Sequence, residues 1–331
     1  MSNERFIYDV LGTDEGFTKI RLALSGMYNF LTQDEKLLSE ESFLDAGYFE
    51  EGFAPVQRID KRWYFLRADG TLMPKCNGFS RAWGFDDGVA FVEISKDLGF
   101  NFVNQTGTLI SKENYSEAYQ FSNGFARVHV KDKGWNFLKK DGTHLSETYF
   151  LDAGDFKNGV AWIKTQDMRV NLIKEDGTII IVEETIFEKS DFSEGFANIR
   201  NETYSCNYID TNGKVISKKW FINTYPFING FGIVLEKKGY NYITPNGTLL
   251  CGQWFCDACY FTADGVARVK LHNGTYNFVK SDGTFLSEKW FYYASNFDDG
   301  FAMVILDGKY NYIKPDGTML LEKWRNTPLP T

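Results

Sequence analysis

The sequence predicts an all-β protein of nine tandem antiparallel units of about 35–36 residues. The first observation is a recurring Phe-x-x-Gly-aromatic-Ala turn. Its glycines, Gly16, Gly52, Gly88, Gly124, Gly159, Gly195, Gly230, Gly265 and Gly300, follow one another at steps of 35 or 36 residues. A period this regular means that each unit is one supersecondary element burying its apolar face on its neighbours. The second is that apolar residues after each turn alternate with polar ones, the period of a half-buried strand. The third is composition: 17% aromatic residues, 30 of them Phe, suit sheets packed by large flat side chains. No linker-like stretch interrupts the array from about Phe6 to Trp324, so residues 1–331 read as one tandem-repeat domain.

The fourth unit shows the elements in order. Ala126, Val128 and Val130 alternate with Arg127 and His129 as the first strand of a hairpin. The partner strand places Trp135 and Phe137 on one face, with Asn136 and Leu138 on the other. Asp141-Gly142 then supplies the positive φ angles of a tight turn, and Thr143–Ser146 reads as a third short strand. The link Tyr149–Phe156 is long enough for a fourth short strand or an extended crossing. The turn dipeptide recurs at Asp69-Gly70, Thr106-Gly107, Asp176-Gly177, Asn212-Gly213, Asn246-Gly247, Asp282-Gly283 and Asp316-Gly317, and it lacks the ligand ladder of a calcium loop. A mid-strand position just before an apolar residue is taken by Asn29, Asn101, Asn136, Asn171, Asn207, Asn241, Asn277 and Asn311, with Tyr64 the exception. Because asparagine is poor in strands but tolerates left-handed backbone angles, a bulge is expected there.

The sequence Phe-x-x-Gly-[Phe/Val]-Ala-x-Val, an aromatic-Asn-aromatic-aliphatic strand, Asp-Gly and a short Lys-Trp-Phe segment together resemble the bacterial WG-repeat family, across all nine units. That family usually has glycine after the Trp or Tyr, where this chain has Trp135-Asn136, Tyr240-Asn241, Tyr276-Asn277 and Tyr310-Asn311. The resemblance implies a bacterial β-repeat protein that mediates contacts with proteins. It carries over no catalytic residue.

Such units stack as an open curved solenoid or close into a propeller-like ring. The solenoid is favoured slightly, since nine blades are many and each unit is short for four strands. The N-terminal Phe6-Ile7-Tyr8-Asp9 could complete the last unit in a ring. A net charge of −8 removes any global basis for nucleic-acid binding, and no lysine-rich block addresses an anionic membrane. The start of the chain lacks a secretory apolar run, and no segment approaches the roughly eighteen apolar residues of a membrane span. A cytoplasmic protein is therefore expected, and an odd number of cysteines, five, suits reduced thiols.

Reactive groups are sparse. Cys251, Cys256 and Cys259 have metal-like spacing, but positions three apart on an extended segment face opposite ways and no fourth ligand is evident, so no metal is expected. His129, His144 and His272 are scattered. Glu50-Glu51, Asp86-Asp87 and Asp298-Asp299 share one turn position and read as solvated turn residues. No cofactor or enzymatic activity is expected.

Two aromatic columns remain, one of Tyr28, Trp63, Phe100, Trp135, Tyr240, Tyr276 and Tyr310, the other of Trp220, Trp254, Trp290 and Trp324. Core packing explains them, and so does a ladder of exposed rings, with Trp63, Trp135, Tyr240, Tyr276 and Tyr310 as the candidate surface. The expected function is a non-enzymatic scaffold binding a protein, preferably basic, as an inhibitor or immunity protein does. The alternative is a glycan-binding protein whose rings stack on sugar faces.

Overall fold

The computed structural model describes residues 7–75 and 77–328. Phe6, the segment before it read as lacking a secretory signal, and Cys76 lie outside the described residues. The chain divides into two compact units within the fifth repeat. One holds residues up to Phe156 with Ala161–Met168 and Glu175–Gly177, the other Lys157–Val160, Arg169–Lys174 and residues from Thr178 onward.

Among the described residues the fold is all-β, with nine small antiparallel sheets, eight of three strands and one of four. In the fourth repeat, Phe125–Val130 pairs in unbroken register with Gly134–Lys139, from Phe125↔Lys139 to Val130↔Gly134. The sheet's remaining strand is Glu117–Ala118, contributed by the link before the turn. This corrects the element order read from the sequence. Thr143–Ser146 makes only the single bridge Leu138↔His144, while the link supplies the first strand of the following sheet, as Asp152–Ala153 does. Likewise Ile7–Asp14 pairs with Phe17–Leu22 as the first strand of repeat one.

The two kinds of turn swap roles relative to expectation. At the Phe-x-x-Gly turn of every repeat but the eighth, both central residues have positive φ, for example Glu51 (52°) with Gly52 (80°) and Asn229 (52°) with Gly230 (84°). This is the pair of left-handed angles that a tight hairpin twisting with its strands requires. At Asp-Gly only the glycine is left-handed, as at Gly142 (81°) and Gly247 (81°). The aspartate instead caps the turn: Asp141 Oδ1 accepts from the Thr143 amide at 2.8 Å and hydroxyl at 2.6 Å. Those bonds hold the Asp141 carboxyl below its usual range.

The asparagines form no bulge and none has positive φ. Each is buried, Asn136 with 0% exposure, and its amide replaces a backbone ladder. After Leu145 the chain loops away from the third strand and returns at Phe150, which pairs with Trp135. Asn136 fills that gap: Nδ2 donates to Ser146 O (2.8 Å) and Thr148 O (3.1 Å), and Oδ1 accepts from Phe137 N (2.8 Å). Asn29, Asn101, Asn207, Asn241 and Asn277 make the same three bonds. In repeat two the Tyr64 hydroxyl bonds Asp60 instead, and Gly78 leaves room for the ring, since a Cβ there would lie 2.7 Å from it.

Repeats join through their phenylalanines. The turn Phe of one repeat lies on two rings of the repeat before it: Phe156 is 4.5 Å from Phe125 and 4.9 Å, edge-on, from Phe137. Phe227 does the same on Phe196 (4.2 Å) and Tyr208 (4.9 Å), and Phe261 on Phe231 and Tyr242. The buried ring is the one after the asparagine, such as Phe30, Phe102, Phe137, Tyr208 and Phe278, or after Tyr64 in repeat two, Phe65.

Turn carboxylates add a second joint. Glu15 accepts from the amides of Glu51 (2.8 Å) and Gly52 (2.7 Å), and Glu194 from Asn229 (2.8 Å) and Gly230 (2.7 Å). Glu51 accepts from Gly88 N at 2.9 Å, so this member of the Glu50-Glu51 pair is a cap on the next turn and not merely solvated. Its neighbour Glu50 is raised above the usual carboxylate range by burial and by Asp14, Asp86, Glu15 and Glu51.

Candidate functional site

On one face of the sheets of repeats three and four, one side chain from each of three neighbouring strands forms a stack. In repeat four Arg127 lies 4.0 Å from the Tyr119 ring centre and 5.1 Å from that of Trp135, with His129 edge-on to Trp135 at 5.1 Å. In repeat three the stack is all rings, Trp83 on Phe91 at 4.8 Å and Phe91 on Phe100 at 5.2 Å. The middle residue also ties repeats together. Arg127 donates to Ala153 O and Arg268 to Ala294 O (3.1 Å), while Lys19 reaches Ala46 O.

The five candidate rings occupy the third-strand position of this stack. Trp63 and Trp135 sit in the first compact unit, Tyr240, Tyr276 and Tyr310 in the second, and all five are half-buried. Their faces are in use: Arg268 and Lys270 lie 5.5 Å and 4.9 Å from the Tyr276 ring centre, with Tyr293 at 5.9 Å, and Tyr225 is 6.2 Å from Tyr240. The tryptophan column is likewise half-buried, Trp290 edge-on to Phe285 at 4.9 Å and Trp254 beneath Lys219 at 5.4 Å.

Repeat six departs. Its three stack positions carry Ser190, Asn198 and Cys206, and an open cleft of about 190 Å³ lies among them. Glu188, Lys189, Ile199, Arg200, Asn223 and Thr224 complete its walls, with Arg200 ion-paired to Glu188 at 2.7 Å. The Cys206 thiol, 3% exposed, receives Arg200 Nε at 3.4 Å. The sequence held the signal, because the ring column skips Cys206. It went unused because a missing ring has no consequence until the neighbours that could fill the space are known to be small too.

A second surface also escaped the sequence reading. The residue opening each link strand is apolar and exposed at Leu44, Leu151, Phe187 (59%), Ile222 (50%) and Tyr292 (78%). Its amide bonds the end of the following middle strand, as Phe187 N does to Arg200 O at 2.8 Å, so the side chain is held outward at a sheet edge.

The reactive side chains do not gather. The described cysteines are free thiols; Cys251 points toward Gly283 O, Cys256 toward Leu271 O and Cys259 toward Asn296 Oδ1. Burial pushes the Cys251 thiol up to about 11. Among the described residues no group of three His, Cys, Asp or Glu side chains is placed to hold a metal. His129 bonds Ser116 Oγ (2.7 Å) and His272 bonds Lys238 O (3.0 Å).

His144 is the informative histidine. It lies between Tyr115 Oη (3.2 Å) and Tyr149 Oη (3.3 Å), and burial holds its pKa below the ordinary imidazole value. Tyr115 is itself pushed up to about 12 by burial. A lowered folded-state pKa means that the unfolded chain binds the proton more readily. The contribution is therefore intact above about pH 6.5 and is lost as pH falls from there through the lowered value. Urea unfolding at pH 7.5 and pH 5 is expected to show a smaller acid loss for His144→Gln than for the native chain; an equal loss would place the acid sensitivity elsewhere.

The family model described as "WG containing repeat" matches the chain at residues 102–133 and 278–310. These stretches are WG-type repeats. The second begins just after Asn277, ends just before Asn311 and contains the turn of Gly300. No curated protein matches the chain. Solved structures similar to it include the computationally designed Ika8 protein, 13% identical over 82% of this chain and 93% of that one, TM-score 0.32. Others are the WD40 β-propeller domain of Doa1 (13% identity, 69% and 88% coverage, TM-score 0.26) and BamB from Moraxella catarrhalis (11% identity, 94% and 96% coverage, TM-score 0.25). At these scores the likenesses carry no functional inference.

Proposed function

We propose that this WG-type repeat array is a non-enzymatic scaffold that binds another protein. The observation that carries the reading is the exposed apolar residue repeated at the opening of the link strand, Phe187, Ile222 and Tyr292 in the second compact unit, Leu44 and Leu151 in the first. Scattered exposed apolar residues need no explanation, but a set recurring at one structural position presents the same contact several times along a sheet edge. The net charge of −8 favours a basic partner and speeds its approach. Glycan binding is the weaker reading, since the faces a sugar would use on Trp135 and Tyr276 already meet Arg127, Arg268 and Lys270.

The test is cross-linked capture from the native cell followed by reconstitution with the purified partner. Replacing Phe187, Ile222 and Tyr292 together by serine is expected to weaken that complex at least tenfold without changing the melting temperature. Retention on polysaccharide with no protein captured, or a triple variant that binds as the native chain does, overturns the reading.

A further inference from the structure

We propose that the cleft of repeat six is a receptor for an aromatic side chain, tryptophan or tyrosine, of the bound protein. The inference rests on the protein-binding reading above and deepens it.

The argument begins with what the other repeats put in the same place. Repeat four fills the three positions with Tyr119, Arg127 and Trp135, repeat three with Trp83, Phe91 and Phe100. Repeat seven still carries Tyr225 and Tyr240, 6.2 Å apart. In repeat six all three are short at once, Ser190, Asn198 and Cys206, while the framework around them is unchanged. Asn207 keeps its bonds to Ser217 O and Lys219 O, and Tyr208 is buried against Phe227. The backbone therefore holds a ring-sized slot open instead of collapsing on it. Its volume of about 190 Å³ far exceeds the roughly 10–15 Å³ that a single water occupies by the same measure.

The walls select the occupant. Arg200 occupies the position of His129, the group that flanks the Trp135 ring in repeat four. A guanidinium beside the slot attracts the face of an electron-rich ring, as Arg127 does with Trp135 and Tyr119. Glu188 holds it there through the 2.7 Å ion pair. Asn198, whose Nδ2 donates to Thr224 O at 3.2 Å, has Oδ1 to accept an indole N–H or phenol O–H, and Asn223, whose Oδ1 accepts from Thr224 N at 3.0 Å, has Nδ2 to donate to a phenol oxygen. The residues next to two wall residues in sequence are apolar and exposed: Phe187, before Glu188, packs edge to face on Tyr204 at 5.4 Å, the two being 59% and 63% exposed, and Ile222, before Asn223, carries the carbonyl that faces Cys206. An inserted ring with exposed apolar flanks is the arrangement of an interface anchor. A free metabolite would use the slot but leave Phe187, Tyr204 and Ile222 uncovered.

The experiment is fluorine NMR on the full chain with two probes, 5-fluoroindole and N-acetyl-5-fluorotryptophanamide. Both are expected to bind the native chain with dissociation constants on the order of millimolar, the range open to a lone ring-sized ligand. Rebuilding the repeat-four stack with Asn198→Arg and Cys206→Trp is expected to abolish binding of both while preserving the melting transition. Arg200→Gln, which leaves the slot open, is expected to weaken both about two- to fivefold by removing the cation–π contact. That second variant decides the matter if the first does not fold. No binding to the native chain, binding unaffected by both variants, or binding of fluoroindole with exclusion of the blocked amino acid overturns the proposal; the last result would make the slot a small-molecule site. Ring binding lost on rebuilding stands even if no partner is captured, so the two proposals fail separately.

Discussion

Replacing Asn136 by alanine is expected to destabilise the protein by about 3–5 kcal/mol, one of the two largest single-residue effects in the structure. The amide has 0% exposure and serves Ser146 O, Thr148 O and Phe137 N at 2.8 to 3.1 Å. Its removal strands the buried Phe137 amide and takes the partner from two carbonyls, on half-buried Ser146 and exposed Thr148, and each group left unpaired away from water costs about 1–3 kcal/mol. Asn136→Asp is expected to be at least as damaging, because a carboxylate keeps the bond to Phe137 N but turns an anion toward two carbonyl oxygens. Urea denaturation measures both. If the asparagine were only a tolerant strand residue, alanine would cost less than about 1 kcal/mol and aspartate would differ little from it.

The second large effect is expected at Gly247, where alanine should cost about 2–5 kcal/mol. Two causes add. Its φ of +81° disfavours any L side chain by roughly 1–2 kcal/mol, and an added Cβ would lie 1.7 Å from Ile216 O in the repeat before it. The obstacle is backbone, so the repeats must move apart. Gly230 is the built-in control: its φ is +84°, yet a Cβ there meets nothing within 4 Å. Gly230→Ala is therefore expected to show only the conformational part, about 1–2 kcal/mol. Thermal unfolding of the two variants separates a positive-φ requirement from a spacing requirement. Equal losses would mean that the Asp-Gly turn does not set the approach of adjacent repeats. Gly142, 1.8 Å from Ile110 O by the same construction, should repeat the Gly247 result in the first compact unit.

These two residues also show what was legible in one dimension. The turn glycines were visible because a backbone angle closed to other residues leaves the same letter at every repeat. Gly230 and Gly247 looked alike, however, and only the neighbouring repeat's carbonyl distinguishes them. The asparagine column was equally visible, but its role was misread. Local propensity pointed to left-handed backbone, whereas the side chain is committed ten and twelve residues ahead, to Ser146 and Thr148. Propensity describes a residue's own backbone and is silent about a loop that leaves a strand and needs a partner.

The candidate surface divides in the same way. Trp63, Trp135, Tyr240, Tyr276 and Tyr310 were found by recurrence, and recurrence marked them as one position of the third strand in their repeats. The feature that distinguishes repeat six is a simultaneous loss at Ser190, Asn198 and Cys206, three positions spread over seventeen residues that meet only across a sheet. The exposed row of Phe187, Ile222 and Tyr292 was hidden because an apolar letter in a strand reads as core until the edge of the sheet is known.

The chain alone determined its period, its antiparallel hairpins and the apolar positions that join successive repeats, because those are requirements of each strand and turn on its own residues. Tertiary structure decided which asparagine amide closes which loop, how near two repeats approach, and where a missing ring leaves open space. Those outcomes depend on distances between segments far apart in sequence, and distance is the quantity that a string of residues does not carry.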